Sequence, residues 1–202
     1  LEISEQLLQA AGDDDSTRAW ALVAIGRQEL RAGDKARAAT ALHDAVVIQG
    51  SGGEADELYR QVCGDEEPWD RYVTALQTHL DRSNHPVRAV FLEVARTQQQ
   101  KLDQPDAALA TLQRGLERFP DEGSLALASA QVLVTAGNLG EAEQRYRSLT
   151  TRYPADPATW RGLAELLQQE GHSSEAALAV APLVLLEAAK PVEANLAKQA
   201  PR

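Results

Sequence analysis

Two tripeptides, Arg118-Phe119-Pro120 and Arg152-Tyr153-Pro154, stand 34 residues apart. Proline cannot continue a helix, and it pushes the residue before it out of the helical region. A basic–aromatic–proline group returning at a fixed interval therefore marks where successive units of one design end. The aromatic ring is expected to cover the joint. Laid out in steps of 34, other positions fall into columns: Ala108, Ala142 and Ala176; Gly137 and Gly171; Leu112, Tyr146 and Val180; Leu133 and Leu167. Periods of 20 to 50 residues are the signature of arrays, so the repeat constrains the fold before composition does.

Each unit has a helical apolar pattern, a break marked by Gly or Asp, and a second helical pattern. The units are LEVARTQQQKLDQPDAALATLQRGLERFP, LASAQVLVTAGNLGEAEQRYRSLTTRYP and WRGLAELLQQEGHSSEAALAVAPLVLLEA. Small side chains, Ala142 and Ala176, stand where the paired helices cross, because a larger one would overpack the contact. Gly137 and Gly171 stand where the first helix ends and a positive φ is needed. Trp160 is expected to fill the gap toward the neighbouring unit.

The pattern resembles the tetratricopeptide repeat family, whose 34-residue helix–turn–helix asks for large, small and proline positions in this order. One repeat supplies Leu92, Ala95, Ala108, Leu112, Gly115 and Pro120; the next Ala130, Leu133, Ala142, Tyr146 and Pro154; the last Trp160, Leu163, Ala164, Leu167 and Ala176. An earlier unit fits through Leu22, Ile25, Gly26, Ala38, Leu42 and Ala45. Between them lies an irregular repeat, with helices expected at about 54–63 and 68–82 and a long CGDEEP break. The resemblance implies an all-α, right-handed superhelix of about five repeats with a concave inner face. The expected divisions are a half repeat at 1–12, repeats at 16–50, 53–87 (irregular), 88–120, 121–154 and 155–189, and a disordered tail at 190–202. The chain begins inside LEISEQLLQAAG, which already reads as helix, and it contains no methionine, so a piece of a longer protein is expected, and its Ala-, Arg- and Gln-rich style suggests a bacterial one.

The net charge of −10 argues against nucleic acid, whose phosphates need a basic stripe. No run of about 18 apolar residues is present, so membrane insertion is not expected. A cytoplasmic or periplasmic setting suits both facts. One cysteine, Cys63, permits no internal disulfide and reads as a buried, inert thiol. His43, His79, His85 and His172 are expected at the surface, with none at a zinc-ligand spacing. GDDDST (12–17) lacks the acidic spacing of a calcium loop, and Asp15, Ser16 or Thr17 is expected to cap a helix instead. GSGGE (50–54) lacks the Lys-Ser/Thr of a phosphate loop and reads as a turn. No catalytic constellation, cofactor fingerprint or metal motif appears.

The family resemblance implies that first helices line the concave face. By register this gives Val23, Arg27 and Arg31; Glu93, Thr97 and Lys101; Leu127, Gln131 and Thr135; and Arg161, Glu165 and Gln168. The Lys/Asn clamp by which some family members grip acidic chaperone tails is missing there. The expected function is a non-catalytic scaffold for another protein or peptide, basic or amphipathic in character. A regulatory or substrate-presenting arm of a multidomain enzyme, and a self-associating module, are the competing readings.

Overall fold

The computed structural model describes residues 2–64 and 68–198, with side chains from residue 6 onward. The described residues form twelve helices, in two compact units, Leu1–Gln104 and Pro105–Arg202. The first unit contains α1 (Glu2–Ala10), α2 (Asp15–Ala32), α3 (Lys35–Gln49), α4 (Glu54–Val62), α5 (Trp69–Arg82) and α6 (Arg88–Gln100). The second contains α7 (Pro105–Arg118), α8 (Gly123–Thr135), α9 (Leu139–Arg152), α10 (Pro157–Gln169), α11 (Ser173–Leu185) and α12 (Pro191–Ala197). The boundary between units lies inside the 88–120 stretch that the sequence reads as one repeat.

The 34-residue step is visible in where helices start. In the second unit α8, α10 and α12 open at Gly123, Pro157 and Pro191, and α7, α9 and α11 at Pro105, Leu139 and Ser173. In the first unit the same step separates α3 from α5 and α4 from α6. Helix ends follow local chemistry. Gly137 and Gly171 adopt φ of +79° and +81°, and the following amides of Asn138 and His172 return to the carbonyls of Leu133 and Leu167. Only a residue without Cβ takes that conformation at no steric cost. Asp14, rather than the three residues after it, caps α2: its carboxylate accepts from the amides of Ser16 and Thr17 at 3.2 and 3.3 Å. An N-cap lies one residue before the first helical position, which displaces the expected cap by one or more places.

In the first unit α3 packs against α2, α4 and α5. Leu42, Val46, Tyr59, Val62, Tyr72 and Leu76 are fully enclosed. Gly26 of α2 lies so close to Leu42 that an added Cβ would stand 2.5 Å from its side chain. The core also encloses Asp56, whose carboxylate accepts from the Tyr72 hydroxyl at 2.5 Å and the Gly52 amide at 2.9 Å. His43 and His79 are partly buried, not surface residues as expected. His43 Nδ1 meets the Tyr59 hydroxyl and His79 Nδ1 the Val47 carbonyl, each at 3.2 Å. A helical repeat leaves few exposed positions per turn, and half-buried imidazole finds a partner there. His85 and His172 are exposed.

The core of the second unit joins Ala130, Leu133, Ala142, Tyr146, Leu163, Ala164, Leu167, Ala176, Val180 and Leu183. Ala142 and Ala176 are fully buried at the helix crossings. The Arg152-Tyr153-Pro154 motif closes the joint. The Tyr153 hydroxyl donates to the Asp121 carbonyl at 2.8 Å, and Arg152 pairs with the Asp121 carboxylate. Trp160, half-buried, donates its indole N–H to the Pro154 carbonyl at 2.8 Å.

The stretch read as a disordered tail contains α12. Pro191 takes the first helical position, the Lys190 amide donates to Glu193 Oε2 at 2.6 Å, and Leu196 and Ala197 pack on the core. Pro at that position and a carboxylate in the first turn are strong start signals. Its sequence is too short to show a helical period, so only those start signals and the 34-residue step reveal it. Residues 199–202, also read as tail, lie outside the described residues, as do 65–67 within the CGDEEP break.

Candidate functional site

Two cavities occupy the same place in the repeat, one in each unit. Each lies among a first helix, the second helix that follows it, and the next first helix. The first, about 160 Å³, is lined by Arg60 of α4, Trp69 of α5, and Glu93, Arg96, Thr97, Gln100 and Lys101 of α6 and its end. The second, about 200 Å³, is lined by Arg161, Ala164, Glu165 and Gln168 of α10, Val180 of α11, and Lys190, Val192, Glu193 and Leu196 at α12.

The structure thus gathers Glu93, Thr97 and Lys101 into one groove and Arg161, Glu165 and Gln168 into the other. The other expected positions fall elsewhere. Arg27 and Arg31 are exposed on α2, and Gln131 and Thr135 are exposed on α8. Leu127 is half-buried. Val23 is buried and so faces the core. Thr97 is only 3% exposed, and its hydroxyl donates to the Glu93 carbonyl at 2.9 Å, so it forms wall rather than an outward contact. The wide apolar stripe of a helix sandwiched between two neighbours explains both reversals.

Charge in these grooves is arranged as rungs between successive first helices. Arg27 of α2 pairs with Glu54 of α4. Arg60 of α4 reaches Glu93 of α6 at 3.5 Å and Asp56 at 3.2 Å. Arg161 of α10 holds Glu193 of α12 at 2.7 Å and also donates to the Ala188 carbonyl at 2.9 Å. The hydrogen bond from Arg161 holds the Glu193 carboxyl below the usual carboxylate range, and Glu193 in turn raises Arg161. Between α9 and α10, where Tyr146 packs against Gly162, burial first and the Glu165 charge second push the Tyr146 phenol up to about 12.

The positions taken by register miss Arg60, Arg96 and Gln100, which also stand on first helices, and Trp69 of α5 in one groove, and the whole α12 wall in the other. A signal existed: Glu93 follows Arg60, and Glu193 follows Arg161, by close to one repeat. Among the described residues no group of three His, Cys, Asp or Glu side chains is placed to hold a metal, and no helix is long and apolar enough to cross a membrane.

The family described as Tetratricopeptide repeat matches residues 99–157 and 127–191. Residues 99–191 thus match the tetratricopeptide repeat family, and the fold of the chain is that of its helical repeats. Solved structures of the same fold include YrrB, described as a TPR protein with an unusual peptide-binding site. It shares 17% identity over 97% of this chain and 99% of its own, with a TM-score of 0.56. MamA from Desulfovibrio magneticus RS-1 shares 16% identity over 84% of this chain and 94% of its own, with a TM-score of 0.55. MamA from strain AMB-1 shares 19% identity over 93% of this chain and all of its own, with a TM-score of 0.54. No curated protein sequence matches the chain. Tetratricopeptide repeats are, in general, non-catalytic modules for protein interaction.

Proposed function

We propose that this tetratricopeptide repeat chain is a scaffold that holds a peptide or protein segment in the grooves between successive first helices. One observation carries the reading. Six expected inner-face residues from two different helices line two cavities at equivalent places in the repeat. The peptide-binding site named for YrrB, on the same fold, supports it by analogy. In the second unit the groove offers Ala164, Val180, Val192 and Leu196 beside exposed Glu165 and Gln168. Apolar walls with an acidic edge suit an amphipathic segment carrying a basic residue.

The test compares the chain with a Glu165→Arg, Gln168→Ala variant as baits in cell extract, followed by purified components. Arg161 is left intact because it anchors α12 through Glu193, and its loss would confound binding with folding. Both substituted positions are exposed, so the circular dichroism spectrum should not change. A partner bound by the native chain and lost by the variant is the expected outcome. Equal capture by both baits would remove the α10–α12 groove as the site.

A further inference from the structure

We propose that the outward face of α11 is a dimerisation surface whose occupant is a second copy of this chain, paired antiparallel about a two-fold axis between Ala181 and Pro182. The surface uses none of the residues that line the two grooves, so it adds self-association to the scaffold reading.

The observation is a break in the repeat. At the 34-residue step, Leu178, Ala181, Pro182 and Leu185 of α11 stand where α9 holds Gln144, Arg147, Ser148 and Thr151, and where α7 holds Ala110, Gln113, Arg114 and Glu117. Every one of those α7 and α9 positions is exposed, and all but Ala110 are polar, as a solvated helix face should be. In α11 the same face is an apolar stripe, with Leu178 50% and Leu185 85% exposed. The opposite face of α11 is already packed in the core through Ala176, Ala179, Val180 and Leu183. A helix that is apolar on both sides is ordinarily covered on both. Further repeats would not cover this stripe. Helices α7 and α9 are each followed by another helix pair, and the same columns stay exposed there. Val184 is not counted in the stripe, because its column is covered in the earlier helices: Thr150 is buried and Leu116 half-buried.

The order of residues along the stripe selects the occupant. Read outward from the bond between Ala181 and Pro182, the stripe meets a leucine at the same distance in each direction. A two-fold interface demands such self-complementarity, because when residue i meets j, j must also meet i. Antiparallel pairing about that centre sets Leu178 of one copy on Leu185 of the other. The helices close at Ala181, where the side chain is small. Charge agrees with this placement. Two chains of net charge −10 repel each other, and the stripe carries no charge. The one ionised side chain of α11, Glu175, is paired with Arg147 at 2.6 Å. A lipid surface fits poorly, because helices that lie in a membrane interface carry Lys and Arg beside their apolar face and α11 has neither. Two turns of helix cover well under the ~800 Å² per partner of a stable complex, so the dimer is weak, with a dissociation constant on the order of 100 µM.

Sedimentation equilibrium of the chain from about 5 µM to about 1 mM brackets that constant, and crosslinking reads the geometry. The weight-average mass should rise from 21.9 kDa toward twice that value and not beyond. Association should tighten several-fold between low salt and about 0.5 M, because screening removes the repulsion between acidic chains. Leu178→Gln with Leu185→Thr gives α11 the residues that α9 holds in the same columns, so the fold is kept, and dimerisation should weaken about tenfold or more. Ala181→Arg, again the residue of α9, sets two cations face to face across the axis and should do the same. Val87→Thr, at an exposed valine of the first unit, should change nothing. Circular dichroism checks each variant; where one is unfolded, the other and the crosslinking decide. For the geometry, Leu178→Cys and Leu185→Cys chains are treated with a short bismaleimide, with the native chain, whose Cys63 is buried, as the blank. The mixture of the two should crosslink more strongly than either chain alone, since like positions lie about 10 Å apart along antiparallel helices. A monomer at every concentration, a dimer that survives both stripe variants, masses beyond two chains, or crosslinking that favours like positions overturns the proposal. Stripe-dependent binding to phosphatidylcholine–phosphatidylglycerol vesicles by a chain that stays monomeric overturns it in favour of a lipid surface.

Discussion

At the scale of single residues, the closest constraint is where helices touch. Gly162 of α10 lies against Tyr146 of α9, where an added Cβ would stand 2.3 Å from the ring. Gly162→Ala should therefore destabilise the chain by about 1–3 kcal/mol despite better helix propensity. Gly140, in α9 with nothing near its Cβ, should accept alanine with no loss and a gain of up to about 1 kcal/mol. Urea unfolding of the two variants separates overpacking from propensity, and equal effects would refute the contact. Tyr146 also gives a pH signature. Its folded pKa, about 12, lies above the ordinary tyrosine value of 10.0. The neutral phenol is thus favoured by folding. That contribution is intact below pH 10 and is lost as pH rises toward 12. Tyr72, raised by burial and by its bond to Asp56, acts in the same direction. Tyr146→Phe should flatten the fall in stability across that interval, measured by denaturation at a series of pH values.

At the scale of elements, α12 shows what a sequence discloses and what it hides. The crossings at Ala142 and Ala176 and the turns at Gly137 and Gly171 were legible because identical side chains recur in identical roles. The helix at Pro191–Ala197 was not, because seven residues carry no resolvable period and its hold comes from outside. Arg161, one repeat earlier, supplies the charge for Glu193, and Leu196 enters a core built by other helices. The grooves were half legible for the same reason. Register places Glu93, Lys101, Glu165 and Gln168, whereas Trp69 and Arg60 enter by tertiary packing of a nine-residue helix and its neighbour. Glu193→Gln removes the charge from that anchor. It should raise amide exchange across α12 by about tenfold or less while leaving α8–α11 protected, since a partly buried ion pair and cap contribute locally. Native exchange should loosen likewise on acidification. The folded pKa of Glu193 is depressed, so its contribution is present above the ordinary carboxylate range and lost as pH falls through the lowered value. Uniform loosening of the whole unit would contradict a local anchor.

At the scale of the whole molecule, the surplus of acidic side chains and the local sign of each groove pull on partners differently. Long-range attraction acts on the rate of encounter and decays within a Debye length, about 8 Å in physiological salt. A basic amphipathic peptide should therefore associate several-fold more slowly as salt rises, with a smaller change in its dissociation rate. Stopped-flow measurements at several ionic strengths decide this. A dissociation rate that carries most of the salt effect would place the charges in direct contact instead.

The rungs between first helices run one way. The arginine belongs to the earlier helix and the glutamate to the later one, in Arg27–Glu54, Arg60–Glu93 and Arg161–Glu193. Shortening such an array splits a rung and strands its cation. A version ending at residue 189 would strip Glu193 from Arg161 and leave it only the Ala188 carbonyl, opening beside an apolar wall a place for an anion that Glu193 fills in the longer chain. Affinities measured on shortened versions would then describe the cut and not the protein.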